Sequence, residues 1–163
     1  MINKKGVKLM RRKDREIIDV EEIEDIMKQA LICNVAMCRD SQPYLVTMNF
    51  GFDEKYIYLH SAAEGLKIDI LKENPLVCIS FVQDAQFVPS LIPCESTMKY
   101  KSVVAFGRAE FITERDEKQK ALAYIIKHYY RQVDEKRLTF SEYDQEKYMV
   151  LKVKIERISG KKC

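Results

Sequence analysis

The sequence predicts a mainly β protein with inserted helices, built as a small antiparallel barrel of six or seven strands. Three observations point there. Short apolar runs joined by tight turns recur from Ile32 to the C-terminal region. Near that end, Leu151, Val153 and Ile155 alternate with Lys152, Lys154 and Glu156, the period-2 pattern of a strand with one buried face. Finally, strands and helices do not alternate as βαβαβ, and no G-x-G-x-x-G follows a strand, which argues against a doubly wound dinucleotide fold. Closing a sheet of this size into a barrel removes its open edges.

The elements follow in order. Asp19 is a good N-cap, Glu22 completes a capping box, and Ile23, Ile26, Met27, Ala30 and Leu31 recur at helical spacing. Ile32 to Cys38 and Tyr44 to Phe52 read as a hairpin around the turn Arg39 to Pro43. Asp53-Glu54-Lys55 turns into a strand from Tyr56 to Ser61. Glu64 to Glu73 reads as a second helix, stopped by Asn74-Pro75. Leu76 to Val82 is an apolar strand, and Ala85 to Glu95, with Pro89 and Pro93, is expected to be irregular. Met98 to Thr113 fits one bent strand or two, with Gly107 at the bend. Glu114 to Gln132 carries a helical stripe of Ala121, Leu122, Ile125, Ile126 and Tyr129.

At 163 residues the chain is long enough for one domain, 1–163, with residues 1–15 a basic N-terminal arm. A net charge of +3 is too small to imply nucleic acid, and no run approaches the ~18 apolar residues of a membrane span. No secretory signal is evident at the N-terminus. The five cysteines (Cys33, Cys38, Cys78, Cys94, Cys163) include no C-x-x-C pair, so we expect a reduced, cytoplasmic protein without a metal site. His128 reads as amphipathic helix surface, too remote in sequence from His60 to suggest zinc.

Chemistry concentrates at Leu59 to Leu71, LHSAAEGLKIDIL. A strand ending in His60-Ser61 runs through Gly65 into a helix whose first turn carries Lys67. Unpaired first-turn N–H groups, the positive end of the helix dipole and an ammonium together suit an anion, and phosphate is the commonest biological anion of that size. Two further segments add cations and hydroxyls: Lys101-Ser102 at the start of an apolar strand, and Arg11-Arg12 before the first helix, where tandem guanidinium forks could clamp a phosphate.

With these motifs in view the chain resembles the FMN-binding split-barrel superfamily that includes pyridoxamine 5'-phosphate oxidase, and within it the nitroimidazole-resistance (Nim-type) branch. The resemblance rests on Met10-Arg11-Arg12, on His60-Ser61-Ala62 followed by Gly65 and Lys67, on Tyr100 to Ala109, and on Ile158-Ser159-Gly160-Lys161, in that order along nearly the whole chain. It implies a split barrel, and a homodimer with FMN at the subunit interface. It further implies that Ser61, Lys67, Lys101 and Ser102 face the phosphate, that Val46, Thr47, Met48 and Asn49 run along the ring, and that His60 lies beside it as the catalytic residue. Arg11 and Arg12 are candidates for the phosphate of their own subunit or of the partner. The expected activity is reduction of a small nitroaromatic or quinone-like acceptor. A pyridoxamine-phosphate-oxidase-like enzyme, or a flavin- or haem-binding protein without its own turnover, are the alternatives on this scaffold.

Overall fold

In the computed structural model, residues 11–130 and 148–163 are described. Met10, most of the basic arm and the last two residues of the expected third helix lie outside them. The elements run β1 (Glu16–Ile17), α1 (Val20–Gln29), β2 (Cys33–Arg39), β3 (Gln42–Met48), β4 (Phe50–Phe52), β5 (Tyr56–Ala62), α2 (Leu66–Glu73), β6 (Leu76–Val88), β7 (Thr97–Ile112), α3 (Arg115–Tyr129) and β8 (Tyr148–Lys162). Asp19 caps α1 as expected, its carboxylate accepting from Glu21 N at 3.1 Å, but Glu22 does not complete the expected capping box and instead meets Lys101 and Lys162.

All pairings are antiparallel and the strand order is β3-β2-β6-β7-β8-β5-β4, with the two-residue β1 added beside β8. The two outermost strands of that order, β3 and β4, are consecutive in the chain and separated by Asn49 alone. The sheet therefore curls until its edges meet at Asn49 without a ladder between them, which makes a split β-barrel.

Inside it, Val35, Phe50, Ile57, Leu59, Ile79, Phe81, Val103 and Leu151 are almost fully buried. Ile23, Ile26 and Met27 of α1 and Ile70 and Leu71 of α2 join this core. The third helix lies outside the barrel, over β4 and β5, and makes a separate cluster with Tyr58, Ile112 and Val150. Among the described residues, the opposite outer face, carried by β3, β2, β6, β7 and β8, receives no buried helix side chains.

Four further expectations are corrected. The first hairpin turns on two residues, not five: Asp40 and Ser41 both take left-handed φ (51° and 63°), and Arg39 already pairs with Gln42. Such a turn matches the twist of the flanking strands. Tyr44 to Phe52 is two strands on opposite sides of the split, so Asn49 is in neither. The sixth strand continues to Val88, through a bulge between Gln83 and Gln86, into what was expected to be irregular. His128 is not plain surface: its ring lies 4.3 Å from Phe50 and its Nε2 is 2.8 Å from Ala30 O.

The seventh strand is a single strand, and the register shifts by one between Phe106 and Gly107. The extra residue is on β8: Phe106 pairs with Arg157 and Gly107 with Ile155, leaving Glu156 unpaired. Its consequence is that inward and outward positions on β8 exchange beyond this point.

Candidate functional site

The ladder registers define one transverse row across the outer face that no described helix covers: Thr47, Asn34, Ser80, Val104 and Ser159. Polar and cationic groups gather at both flanks of this face and leave its middle to Ala36, Cys78, Val82, Val104 and Phe106.

On the split flank, β3 pairs only with β2 among the described residues, so its other edge leaves backbone donors and acceptors open beside Val46, Thr47, Met48 and Asn49. Val46 and Met48 turn inward, while Thr47 is exposed and its Oγ1 donates to Asn34 Oδ1 at 2.8 Å. The β4–β5 ladder ends at Phe50↔Leu59, so Asn49 and His60 are the next residues beyond it, beside the split. The ring of His60 is half-buried and packs edge-on against Tyr148, centroids 5.8 Å apart. Ser61 points to the other side of β5, into the barrel, where its Oγ donates to Ala62 O at 2.9 Å.

Gly65 opens α2 with φ 116°, a conformation only glycine adopts without strain, and no side chain caps the first turn. Lys67 stands there half-buried, without an ion-pair partner among the described residues. Burial pushes its pKa down, and burial followed by the Lys67 charge lowers that of His60. His60 is therefore held toward the neutral imidazole, a hydrogen-bond donor more than a cation.

The linkage can be measured. With two histidines in the chain, a proton NMR titration resolves His60 once His60→Gln assigns it. Lys67→Met is expected to raise the His60 pKa, and a bound dianion beside Lys67 to raise it as well. A histidine with a depressed folded value contributes full stability above the ordinary ~6.5 and loses it as pH falls below that. The wild-type protein should accordingly lose more stability on acidification than Lys67→Met. An unmoved His60 titration in Lys67→Met would show that the two groups do not sense each other.

On the far flank, Arg11, Arg12, Ser102, Val104, Phe106, Ser159 and Lys161 line a cavity of about 420 Å³. Lys161 Nζ donates to Tyr100 Oη at 2.7 Å and Arg11 forms no ion pair among the described residues, so both charges are available. Arg12 is already engaged: its Nε and Nη2 donate to the two Asp14 carboxylate oxygens at 2.8 and 2.6 Å. That contact holds the Asp14 carboxyl down to about 2. Lys101 and Ser102 face opposite sides of β7, and Lys101 turns to Glu22 of α1 at 3.1 Å. Of that pair, only Ser102 lines the cavity.

Seven of the expected site residues thus fall into two groups, while Val46, Met48 and Ser61 turn into the barrel and Lys101 turns to Glu22. Thr47, Asn49, His60 and Lys67 occupy one flank, and Arg11, Arg12 and Ser102 the other. Lys161, Tyr100 and Asn34 are additions that sequence reading did not single out as site residues. Between β3 and β8 lie four strand spacings, roughly 19 Å at ~4.8 Å each. His60 of β5 meets β8 only at Val150, far along that strand from Lys161, so by either route one phosphate does not reach both flanks of a chain.

The family model of pyridoxamine 5'-phosphate oxidase matches residues 19–162. The chain belongs to that family. Within the family's fold, a crystal structure of a candidate 5-nitroimidazole antibiotic resistance protein from Bacteroides thetaiotaomicron is 35% identical, covers 90% of this chain and 85% of its own, and superposes with a TM-score of 0.78. An FAD and heme binding protein from Mycobacterium smegmatis shares the fold at a TM-score of 0.81 and 19% identity, over 91% of this chain and 73% of its own. An uncharacterized protein of Rhizobium meliloti (strain 1021) is 32% identical over 92 residues, 56% of this chain. The match spans about half the length (54%) of that relative. The oxidase family's split barrel is thus matched by a solved relative at useful identity as well as by fold alone. Among the described residues, no helix is long and apolar enough to cross a membrane, and no group of three potential ligands could hold a metal ion.

Proposed function

We propose that the protein is a homodimeric, FMN-dependent oxidoreductase of the nitroimidazole-resistance type, reducing a small nitroaromatic or quinone-like acceptor. The observation that carries this reading is the division of the cationic groups between two flanks of an uncovered sheet face. A two-fold pairing of that face sets the split flank of one copy against the cavity flank of the other, twice, and makes two complete sites. The apolar middle of the face then becomes the contact between copies.

The residues suit the cofactor. An FMN phosphate carries close to two negative charges, and Lys67 with the open α2 N-terminus on one side, and Arg11, Ser102 and Lys161 on the other, supply counter-charge and donors. The open edge of β3 offers backbone groups to a flat heterocycle. When bound, FMN supplies the electron transfer itself, and the protein orients it. His60, held toward the neutral form and next to the split beside Asn49, donates a hydrogen bond or a proton to the acceptor. Similarity at 35% to a candidate nitroimidazole-resistance protein favours the nitro class of acceptor. All five cysteines are free, in keeping with a reducing, cytoplasmic setting.

Purification tests the reading directly. A yellow protein, or one that takes up added FMN, is expected, followed by bleaching under anaerobic NAD(P)H and reoxidation by a nitro compound or quinone. A colourless protein that refuses FMN defeats the proposal, and a Soret band would replace it with a haem-binding one. His60→Ala is expected to keep FMN and lose turnover; full turnover in that variant removes His60 from the chemistry.

A further inference from the structure

The sixth and seventh strands do not stop where the barrel stops. Gln83↔Lys101 is the last pair that still has a third strand, through Lys162 of β8. Beyond a bulge where Asp84 takes φ 54°, Gln86↔Lys99, Phe87↔Met98 and Val88↔Thr97 pair only with each other among the described residues. A two-stranded ribbon this bare is marginally stable in water. One side-chain hydrogen bond, Gln83 Nε2 to Gln29 Oε1 at 2.6 Å, ties its base to α1.

The tip is nonetheless organised by its own polar groups. Ser90 N donates to Ser96 Oγ at 3.0 Å, Ile92 N to Ser90 Oγ at 3.2 Å, and Glu95 N to Ile92 O at 2.9 Å. With those contacts turned inward, apolar side chains are left outside: Leu91 is wholly exposed, and Phe87, Ile92 and Met98 are 61%, 56% and 47% exposed. Apolar surface gathered on a projecting ribbon marks a contact.

The site geometry says with what. A pairing that lays one flank on the opposite flank has its two-fold axis roughly along the strands, so like ends of the two faces stay together. Asn49 follows Met48↔Cys33, and Ser102 pairs with Val82; both lie just past the Thr47–Ser159 row, toward the same end of the sheet. The ribbon begins at that end, one residue from Ser102. Its ladder extends about 13 Å further, from Tyr100 to Thr97 at ~3.3 Å per residue, before the tip, and so leaves the face beside Asn49 and His60 of the second copy.

We infer that each ribbon, residues 84–99, lies across the split edge of a second copy of this chain, over that copy's His60 and Asn49. There Phe87, Leu91 and Ile92 form the apolar wall that decides which acceptor reaches the ring. The acceptor half of this rests on the FMN reading above; the contact half rests on the dimer alone.

Because the chain contains no tryptophan, Leu91→Trp places one emitter on the ribbon tip, with Ile92→Trp as an independent second. Glu54→Trp places a reference emitter on the β4–β5 turn, at the end of β5 remote from His60. In the full-length dimer the ribbon emitters should be blue-shifted and shielded from iodide, and become red and quenchable on dilution to monomer. Saturating FMN, its binding followed by flavin absorbance, should remove most of the ribbon emission and much less of the turn emission by energy transfer. Red, iodide-accessible ribbon emission in a sedimenting dimer overturns the inference, as does a monomer at every concentration. So does quenching by bound FMN no greater than at the turn. If no FMN binds, the functional reading falls while the emission measurements, run without flavin, still decide the ribbon contact.

Discussion

Lys67→Glu protein and Lys161→Glu protein should each lose FMN, and an equimolar mixture of the two, after subunit exchange, should recover it at about a quarter of the sites. The loss follows from charge. Each lysine is half-exposed, unpaired with a carboxylate among the described residues, and sits where the other flank's cations would share its anion. A hydrogen bond to a charged group is worth about 1.5–3 kcal/mol, and reversing the charge adds repulsion, so each variant should bind about a hundredfold more weakly or worse. Recovery follows from the distance between flanks. One heterodimer site joins an intact split flank to an intact cavity flank, while the other joins two damaged ones. With half of all dimers mixed, one site in four is whole. A chain carrying both substitutions, mixed with wild type, gives heterodimers in which neither site is whole. If both flanks served one phosphate within a chain, the two results would exchange. Mixing would restore nothing, and wild type would keep its own sites beside the doubly substituted chain. Flavin fluorescence read against sedimentation of the exchanged dimers distinguishes the two arrangements.

The division between flanks was only partly legible in the sequence. Local signals survived folding: the Asp19 cap, the stop at Asn74-Pro75, and the glycine before Lys67 all describe interactions within a few residues. The two halves of the site were legible as motifs too, because Gly65 with Lys67 and Tyr100 to Ala109 are contiguous. Which way each side chain points was less so. Strict alternation from Leu151, Val153 and Ile155 would turn Lys161 into the barrel and Gly160 out. The extra residue at Glu156 reverses both, burying Gly160 and bringing Lys161 to the cavity. A one-residue bulge leaves no compositional mark here, since Glu156 looks like any exposed strand residue. Lys101 was misleading for a related reason. Adjacent residues on a strand face opposite sides, so a basic–hydroxyl pair cannot both address one ligand, and Glu22, far back in the chain, takes the lysine. Asn49 shows the limit most clearly. Nothing local distinguishes a continuous strand from one that leaves an edge and re-enters at the opposite edge. That break is what opens the backbone beside His60.

Gly51→Ala should be among the most destabilising single substitutions available, through a contact that also reaches the split. A methyl group at Gly51 would sit 2.4 Å from the Tyr124 carbonyl carbon and 2.5 Å from both Tyr124 O and Ile125 N. All three are backbone atoms of α3, so no rotamer change relieves the clash and helix and strand must separate. That separation works against Ala121, Leu122 and Ile125, buried beneath the helix, and against Tyr129. The Tyr129 hydroxyl accepts from Phe50 N at 3.2 Å and donates to Leu31 O at 2.8 Å. Overpacking costs about 1–3 kcal/mol and each hydrogen bond about 1 kcal/mol, so a loss of about 3–4 kcal/mol is expected as a lowered urea midpoint at unchanged slope. Against a typical total of about 5–15 kcal/mol that is a large fraction. Gly65→Ala is the informative counterpart. A methyl group there meets nothing within 4 Å, but the φ of 116° strains any other residue. Its cost should be about 1–2 kcal/mol, confined to the entry of α2 and expressed mainly as weaker anion binding beside Lys67. Phe50 and Gly51 directly follow Asn49, so Gly51→Ala should weaken FMN binding only in step with its loss of fold, whereas Gly65→Ala should weaken it in a protein that remains folded. If Gly65→Ala left FMN affinity unchanged, the open first turn of α2 would not be where the phosphate sits, and the split flank would have to hold it through Lys67 alone.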